Sequence, residues 1–240
     1  MAIVENKYRV NIKQVNVNGS ISDKGILMIF EDIACYHSDL IGCGFNDRPK
    51  THFAWILLNW KVNVFKRARY GDTVIVKTWT HSSNKLFSYR DFQMYDESNT
   101  LIAIGSSKWV LMDSESFNII HIPDELTQNF LPEDKGVFEN NNFPKLSEPL
   151  DMKLTYSFVV PRRDIDVNKH MNNLYYLDHA FEALPEDLYL KEYNSIDIHY
   201  KLSAKLNEKV DCYYSHLDDF DYVVMKSPDT EKVYCIIRLK

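Results

Sequence analysis

No stretch of this 240-residue chain approaches the ~18 consecutive apolar residues that a membrane-spanning helix needs. The opening Met1-Ala2-Ile3-Val4-Glu5 lacks a basic end followed by an apolar block, so no secretory signal is expected. Cysteine is sparse: Cys35, Cys43, Cys212 and Cys235 stand far apart without CxxC spacing. That excludes a disulfide framework, argues against a zinc site, and fits reduced thiols of a cytoplasmic protein. Positive charge is also short, with 28 Lys and Arg against 34 Asp and Glu and a net charge of −6. Nucleic acid is therefore not the expected partner, because phosphate binding needs a basic face. Only Lys66-Arg67-Ala68-Arg69 and Arg162-Arg163 are densely basic. No membrane partner, metal or cofactor is expected.

What is present is ordinary globular stock: 45% hydrophobic and 26% charged residues. The length suits one large domain or two of roughly 120 residues. The 15 tyrosines and 13 phenylalanines favour strands.

One unit occurs twice. Val15-Asn16-Val17-Asn18-Gly19-Ser20 matches Ile165-Asp166-Val167-Asn168-Lys169-His170. A short β-like run precedes each, from Tyr8 to Ile12 and from Leu154 to Val160, and a helical pattern follows each. In the first copy Ile26, Ile29, Phe30, Ile33, His37 and Leu40 form one stripe, with Gly42 at the C-cap position. In the second, Leu174, Leu177, Phe181 and Leu184 do the same, with Pro185 as the stop. Strands are expected at roughly 53–66, 72–81, 85–96 and 100–113, then at 194–204, 208–217, 220–227 and 231–239. The predicted organisation is α+β: one long helix per antiparallel sheet, repeated. A first unit spans 1–123, a linker 124–150 with Asn140-Asn141-Asn142 in its middle and room for a short helical turn, and a second unit 151–240. A homodimer and a monomer are both compatible with such a tandem.

The run from Arg163 to Asn173 carries two carboxylates, three amides and an imidazole immediately before a helical pattern. The repeat makes it asymmetric: Asp166 stands against Asn16 and His170 against Ser20. The first copy lacks both groups able to move a proton near neutral pH. One site, in the second half, is expected. Read alone, the run also fits turn chemistry, with Asp and Asn capping a helix. Asn172-Asn173 reads as capping, His179 and His199 as ordinary, and Cys35 and Cys212 as thiols without a partner base.

Several segments carry a family resemblance. They are Arg69-Tyr70-Gly71-Asp72-Thr73-Val74 with Lys77-Thr78-Trp79, Leu86-Phe87-Ser88-Tyr89-Arg90-Asp91-Phe92, Ser106-Ser107-Lys108-Trp109-Val110-Leu111-Met112-Asp113, and Asp164 to Asn173. In this order, from about Tyr8 to Arg238, the chain resembles bacterial and plant acyl-acyl-carrier-protein thioesterases built as two tandem hotdog units. The resemblance implies hydrolysis of fatty acyl thioesters of acyl carrier protein, with Asp166, Asn168 and His170 as catalytic positions. It also implies an acyl cavity shaped mainly by the first unit. The family usually has a carboxylate in the strand after the catalytic helix; aligned through Ile198-His199-Tyr200-Lys201, that position is Ser203.

Thioester hydrolysis needs a stabilised carbonyl oxygen and a deprotonated water. An oxyanion donor contributes about 10²–10³ in rate and a positioned base about 10²–10⁴. Backbone N–H groups opening the 171–184 helix are candidates for the first role. For the second, Asp166, or His170 tuned by it, activates water while the Asn168 amide holds substrate or water. Direct attack by Ser203 with His170 as base is an alternative. Other readings are an acyl-coenzyme A thioesterase, a hydratase, and a non-catalytic acyl-binding protein. A carrier-protein enzyme needs a basic docking patch, for which Lys66, Arg67, Arg69, Arg162 and Arg163 are candidates. Ile26, Met28, Phe30 and Trp55 are unranked candidates for the cavity floor, so chain length is open.

Overall fold

The computed structural model describes residues 2–139 and 142–240; Met1 and the linker residues Asn140 and Asn141 lie outside the described residues. The chain divides into two compact units, Met1–Asn142 and Phe143–Lys240.

The first unit runs β1 (Ile3–Arg9), α1 (Asp23–Leu40), α2 (Arg48–Thr51), β2 (Phe53–Val64), β3 (Thr73–Ser83), β4 (Ser88–Tyr95), β5 (Leu101–Asp113), β6 (Ile119–Ile120) and α3 (Asp124–Asn129). Its antiparallel sheet has the order β1-β3-β4-β5-β2, with the short β6 on β5. The second unit runs β7 (Lys153–Val159), α4 (Asn173–Glu182), β8 (Ser195–Tyr200), β9 (Lys209–Leu217), β10 (Phe220–Lys226) and β11 (Val233–Leu239), ordered β8-β11-β10-β9-β7 and again antiparallel. Each unit thus has the α+β layout that the repeat predicts.

Helix α1 begins where Ser22 Oγ accepts the Gly25 N–H (3.0 Å) and ends before Gly42, whose φ of +71° is the left-handed value a C-terminal cap uses. Ile26, Ile29, Phe30, Ile33 and His37 are buried as the spacing requires. Leu40 is exposed, so the stripe stops one turn early. Phe30 seats the helix on the sheet. Its ring stacks on Phe92 at 4.8 Å and lies 6.2 Å from Trp60. Beneath it is Gly105, flanked in register by Phe92 and Val62. A Cβ on Gly105 would lie 2.7 Å from the Phe30 ring, so the close approach demands glycine here.

Some boundaries differ from expectation for local reasons. Strand β1 ends at Arg9, short of Ile12, because Asn11 opens a 3-10 turn: its side chain accepts the Lys13 N–H, and Gln14 reaches back to the Asn11 N–H. Strand β8 stops at Tyr200, because the N–H groups of Lys201 and Leu202 both turn to the Tyr234 carbonyl. Strand β2 stops at Val64 the same way, with Phe65 and Lys66 both on the Ile102 carbonyl. In α4 the buried face is Tyr176, Leu177, His179 and Ala180, while Leu174 and Phe181 are half-buried.

Candidate active site

The two matching sequence runs fold into the same loop. In the first unit Asn16 N–H donates to the Ser20 carbonyl (2.9 Å) and Gly19 N–H to the Asn16 carbonyl (3.0 Å). In the second, Asp166 N–H donates to His170 (2.9 Å) and Lys169 N–H to Asp166 (3.0 Å). Gly19 and Lys169 share the left-handed conformation, at φ +76° and +63°. Further out the copies still agree. Ser22 N–H reaches the Gln14 carbonyl, as Asn172 N–H reaches that of Asp164; Ile21 N–H reaches Ala68, as Met171 N–H reaches Ala204.

Within the second loop the Asp166 carboxylate is turned onto its own backbone. It accepts the Asn168 N–H (2.7 Å), the Asn168 side-chain amide (3.2 Å) and, more weakly, the His170 N–H (3.4 Å). Asp166 and Asn168 therefore meet side chain to side chain. His170 joins them only through its backbone; its ring, half-buried, has no hydrogen-bond partner among the described residues. The expected tuning of that ring by direct Asp166 contact is not seen.

At the opening of α4 the N–H groups of Met171, Asn172, Leu174 and Tyr175 are committed to Ala204, Asp164, the Asn172 side chain and the Asn172 carbonyl. Of the first-turn amides, that of Asn173 has no acceptor among the described residues. The capping role expected for Asn172 is thus present. Beside the loop, Ala204 N–H donates to Tyr176 Oη (2.8 Å), and Tyr200 Oη donates to the Asn173 carbonyl (3.0 Å).

Ser203 lies beyond β8 and is exposed. The repeat pairs Ala204 with Ala68, so the counterpart of Ser203 is Arg67. There the guanidinium donates to the Ile21 carbonyl and to Asp23 in a sheltered ion pair at the start of α1. Arg67 is therefore no part of an open basic patch, contrary to expectation. Lys66 and Arg69 are exposed, but are held by Asp96 and by the Asn18 carbonyl. Arg162 and Arg163 are exposed on the 3-10 turn Arg162–Asp164 that leads into the loop.

His179 is not the ordinary histidine that its isolation in sequence suggests. Its Nε2 lies 2.8 Å from Asp164 Oδ2, both residues are buried, and Phe158 stacks flat on the imidazole at 3.5 Å. The first-unit counterparts are Gln14 and Ile29, so this pair belongs to the second copy alone. The signal was available: an i, i+15 Asp and His bracketing the loop, both absent from the twin.

The first unit holds a cavity of about 170 Å³. Its walls include Phe53, Trp55, Trp109 and Phe130, with Arg90 among them and Cys35 and Asp39 at its exposed side. Of the residues proposed as a floor, only Trp55 lines it. Cys35 Sγ is pushed up to about 11 by burial and by Glu31, Asp39 and Asp32 nearby. Burial likewise raises the Cys43 and Cys212 thiols. Among the described residues no cluster of three or more His, Cys, Asp or Glu could hold a metal, and no helix is long and apolar enough to cross a membrane.

Comparison with known proteins agrees with this architecture. An oleoyl-acyl carrier protein thioesterase 2 of Arabidopsis thaliana is 26% identical over 224 residues, spanning 85% of this chain and 60% of its own length. The Coriandrum sativum oleoyl-acyl carrier protein thioesterase is 25% identical over 237 residues, 92% of this chain and 64% of its own. The chain thus spans less than two thirds of these curated relatives. Among solved structures, an acyl-ACP thioesterase from Bacteroides thetaiotaomicron superposes with a TM-score of 0.86 at 17% identity, covering 99% of this chain and 96% of that one. The 12:0-ACP thioesterase from Umbellularia californica gives 0.86 at 19%, with the same coverage. These likenesses establish the tandem hotdog fold. Residues 2–130 match the acyl-ACP thioesterase N-terminal domain and residues 147–235 its C-terminal domain, and the chain belongs to the acyl-ACP thioesterase family.

Proposed function

We propose that this protein hydrolyses fatty acyl thioesters of acyl carrier protein, releasing free fatty acid and carrier protein, by water attack at one site in the loop before α4. The observation that carries this reading is the duplicated loop. Its backbone hydrogen bonds recur in both units, yet only the second copy has Asp166 and His170. Turn formation alone does not require those two residues, since Asn16 and Ser20 form the same turn.

The mechanism follows from what each group has left to offer. His170 is the general base: its ring is not spent on an internal hydrogen bond, and imidazole is the side chain best suited to proton transfer near neutrality. Asp166 fixes the Asn168 amide through the 3.2 Å contact, and Asn168 aligns water or thioester. The Asn173 N–H, at the positive end of α4, stabilises the developing oxyanion. The tetrahedral intermediate then collapses, the C–S bond breaks, and the departing thiolate takes the proton that His170 removed from the water. Ser203 is exposed and makes no hydrogen bond to His170 among the described residues, which disfavours an acyl-enzyme route.

Incubation of pure protein with acyl thioesters and a thiol-detecting dye tests the reaction; no thiol release from any acyl chain refutes it. The carrier-protein preference is read from Arg162 and Arg163. Charge reversal at both should weaken the carrier substrate with strong salt dependence and spare the coenzyme A thioester. Equal loss with both thioesters at every salt concentration refutes docking there.

A further inference from the structure

The first-unit cavity contains a charge that an all-hydrocarbon ligand would leave unanswered. Arg90, on β4, is only 6% exposed. Its Nη1 contacts His37 Nδ1 (2.9 Å) and, at the limit of a hydrogen bond, Thr78 Oγ1 (3.4 Å); the Phe130 ring lies 5.1 Å from its Cζ. No carboxylate lies within 4 Å, and Nε and Nη2 have no hydrogen-bond partner among the described residues. The chain's other sheltered arginines are handled differently: Arg67 holds Asp23 and Arg238 holds Asp197. Burial pushes the Arg90 guanidinium down to about 10, so it stays charged at neutral pH. Phe53, Trp55, Trp109 and Phe130 supply aromatic wall beside the guanidinium, and the carboxylate that lines the cavity, Asp39, sits at its exposed side and is not paired with Arg90.

We infer that this cavity receives an acyl chain bearing an oxygen acceptor away from the thioester, a hydroxyl, oxo or carboxylate group, with Arg90 as the residue that recognises it. The inference rests on the acyl-thioester reading above and deepens it by naming a substrate class. Aromatic walls suit the methylenes, whereas a bare phosphate would gain nothing from them. A buried guanidinium facing a plain chain stays desolvated without return, while an oxygen acceptor gives it a charge-assisted hydrogen bond.

The test reads binding separately from hydrolysis. Decanoate, 10-hydroxydecanoate and decanedioate are titrated into wild type, following fluorescence of the cavity tryptophans Trp55 and Trp109. At least one oxygenated acid should bind about tenfold or more tighter than decanoate, the scale of a charge-assisted hydrogen bond. Preference for the hydroxy acid identifies a neutral acceptor, and preference for the diacid an anionic one. Arg90→Met should abolish the preference. Where that variant does not fold, Arg90→Lys, which keeps the charge without the planar fork, should reduce it. Decanoate binding as well as both oxygenated acids, or a preference that persists in the folded variant, overturns the inference. Failure to hydrolyse any thioester would instead refute the proposed reaction and leave the binding result standing.

Discussion

Substituting Asp166 in two ways separates turn formation from chemistry, because the chain supplies its own control. In the first unit Asn16 Oδ1 accepts the N–H groups of Asn18 (3.0 Å) and Ser20 (3.2 Å). In the second, Asp166 Oδ1 accepts those of Asn168 (2.7 Å) and His170 (3.4 Å). An amide oxygen therefore suffices for this turn, and Asp166→Asn should cost only a few tenths of a kcal/mol. Asp166→Ala removes the acceptor and should cost about 1 kcal/mol, the usual worth of a side-chain cap on backbone N–H groups. In a chain this long that is roughly 2–4 °C in melting temperature. Activity should behave otherwise. If the carboxylate orients Asn168 and sets the field at His170, Asp166→Asn lowers kcat/KM at least about tenfold despite its intact fold, or ~1.4 kcal/mol of transition-state stabilisation. Thermal melts and thiol release on the same preparations give both numbers. Wild-type turnover in Asp166→Asn would reduce Asp166 to a turn former. Equal melting of the Asn and Ala variants would refute the equivalence of the loops.

The Asp164–His179 pair gives a second prediction: His179→Ala leaves the buried Asp164 carboxylate with only the exposed Arg163, 3.5 Å away, and should destabilise by about 1–3 kcal/mol, the cost of a buried acceptor losing its hydrogen bond; an unchanged denaturant midpoint would refute that role. Cys35 should alkylate at pH 7 roughly tenfold more slowly than a cysteine at its ordinary 9.0, because a thiol pushed up to about 11 carries much less thiolate, only partly offset by the greater nucleophilicity of a more basic thiolate; mass-resolved iodoacetamide kinetics check this, and labelling at the ordinary rate refutes it. Asp221 is buried, which alone would raise its pKa, yet Lys191, His216, Tyr214 and Tyr193 hydrogen-bond its carboxylate and hold it below the usual range. Its folded pKa being depressed, the stability it adds is present above the unfolded value of ~3.9 and lost as pH falls through the folded one. Urea midpoints should accordingly differ between wild type and Asp221→Asn at pH 6 and converge only in strong acid; a constant difference down to pH 3 would refute the linkage.

Much of the fold was legible because its signals are local. The α1 stripe as far as His37, the Gly42 cap and the paired loops are spacing and turn chemistry, and the structure carries them. Boundaries such as Tyr200 were not legible: the strand ends where two successive N–H groups share the distant Tyr234 carbonyl, a contact that no local pattern carries. The same holds at the site. Asp166 and Asn168 are two residues apart and meet as their spacing suggests. The Asp164–His179 pair spans fifteen positions, and the burial of Arg67 and Arg90 depends on elements tens of residues away. Sequence therefore showed which residues are chemically able, but not which of them already have a partner.

The ion pair between Arg67 and Asp23 has a historical consequence. A duplicated fold begins with two equivalent loops, and a lost activity in one could in principle return by restoring an acid at position 16 and an imidazole at position 20. Here the twin of Ser203 is a guanidinium tied to the first residue of α1, so on the reading proposed above a revertant at those two positions would still carry a lodged cation where the second unit carries a serine. Return would need at least a third change, and the intermediate steps would leave Asp23 buried without its partner. On that reading the first half is ratcheted out of the chemistry. Its cavity residues, none of which belongs to the second unit, can then diverge without altering the loop at 166–170.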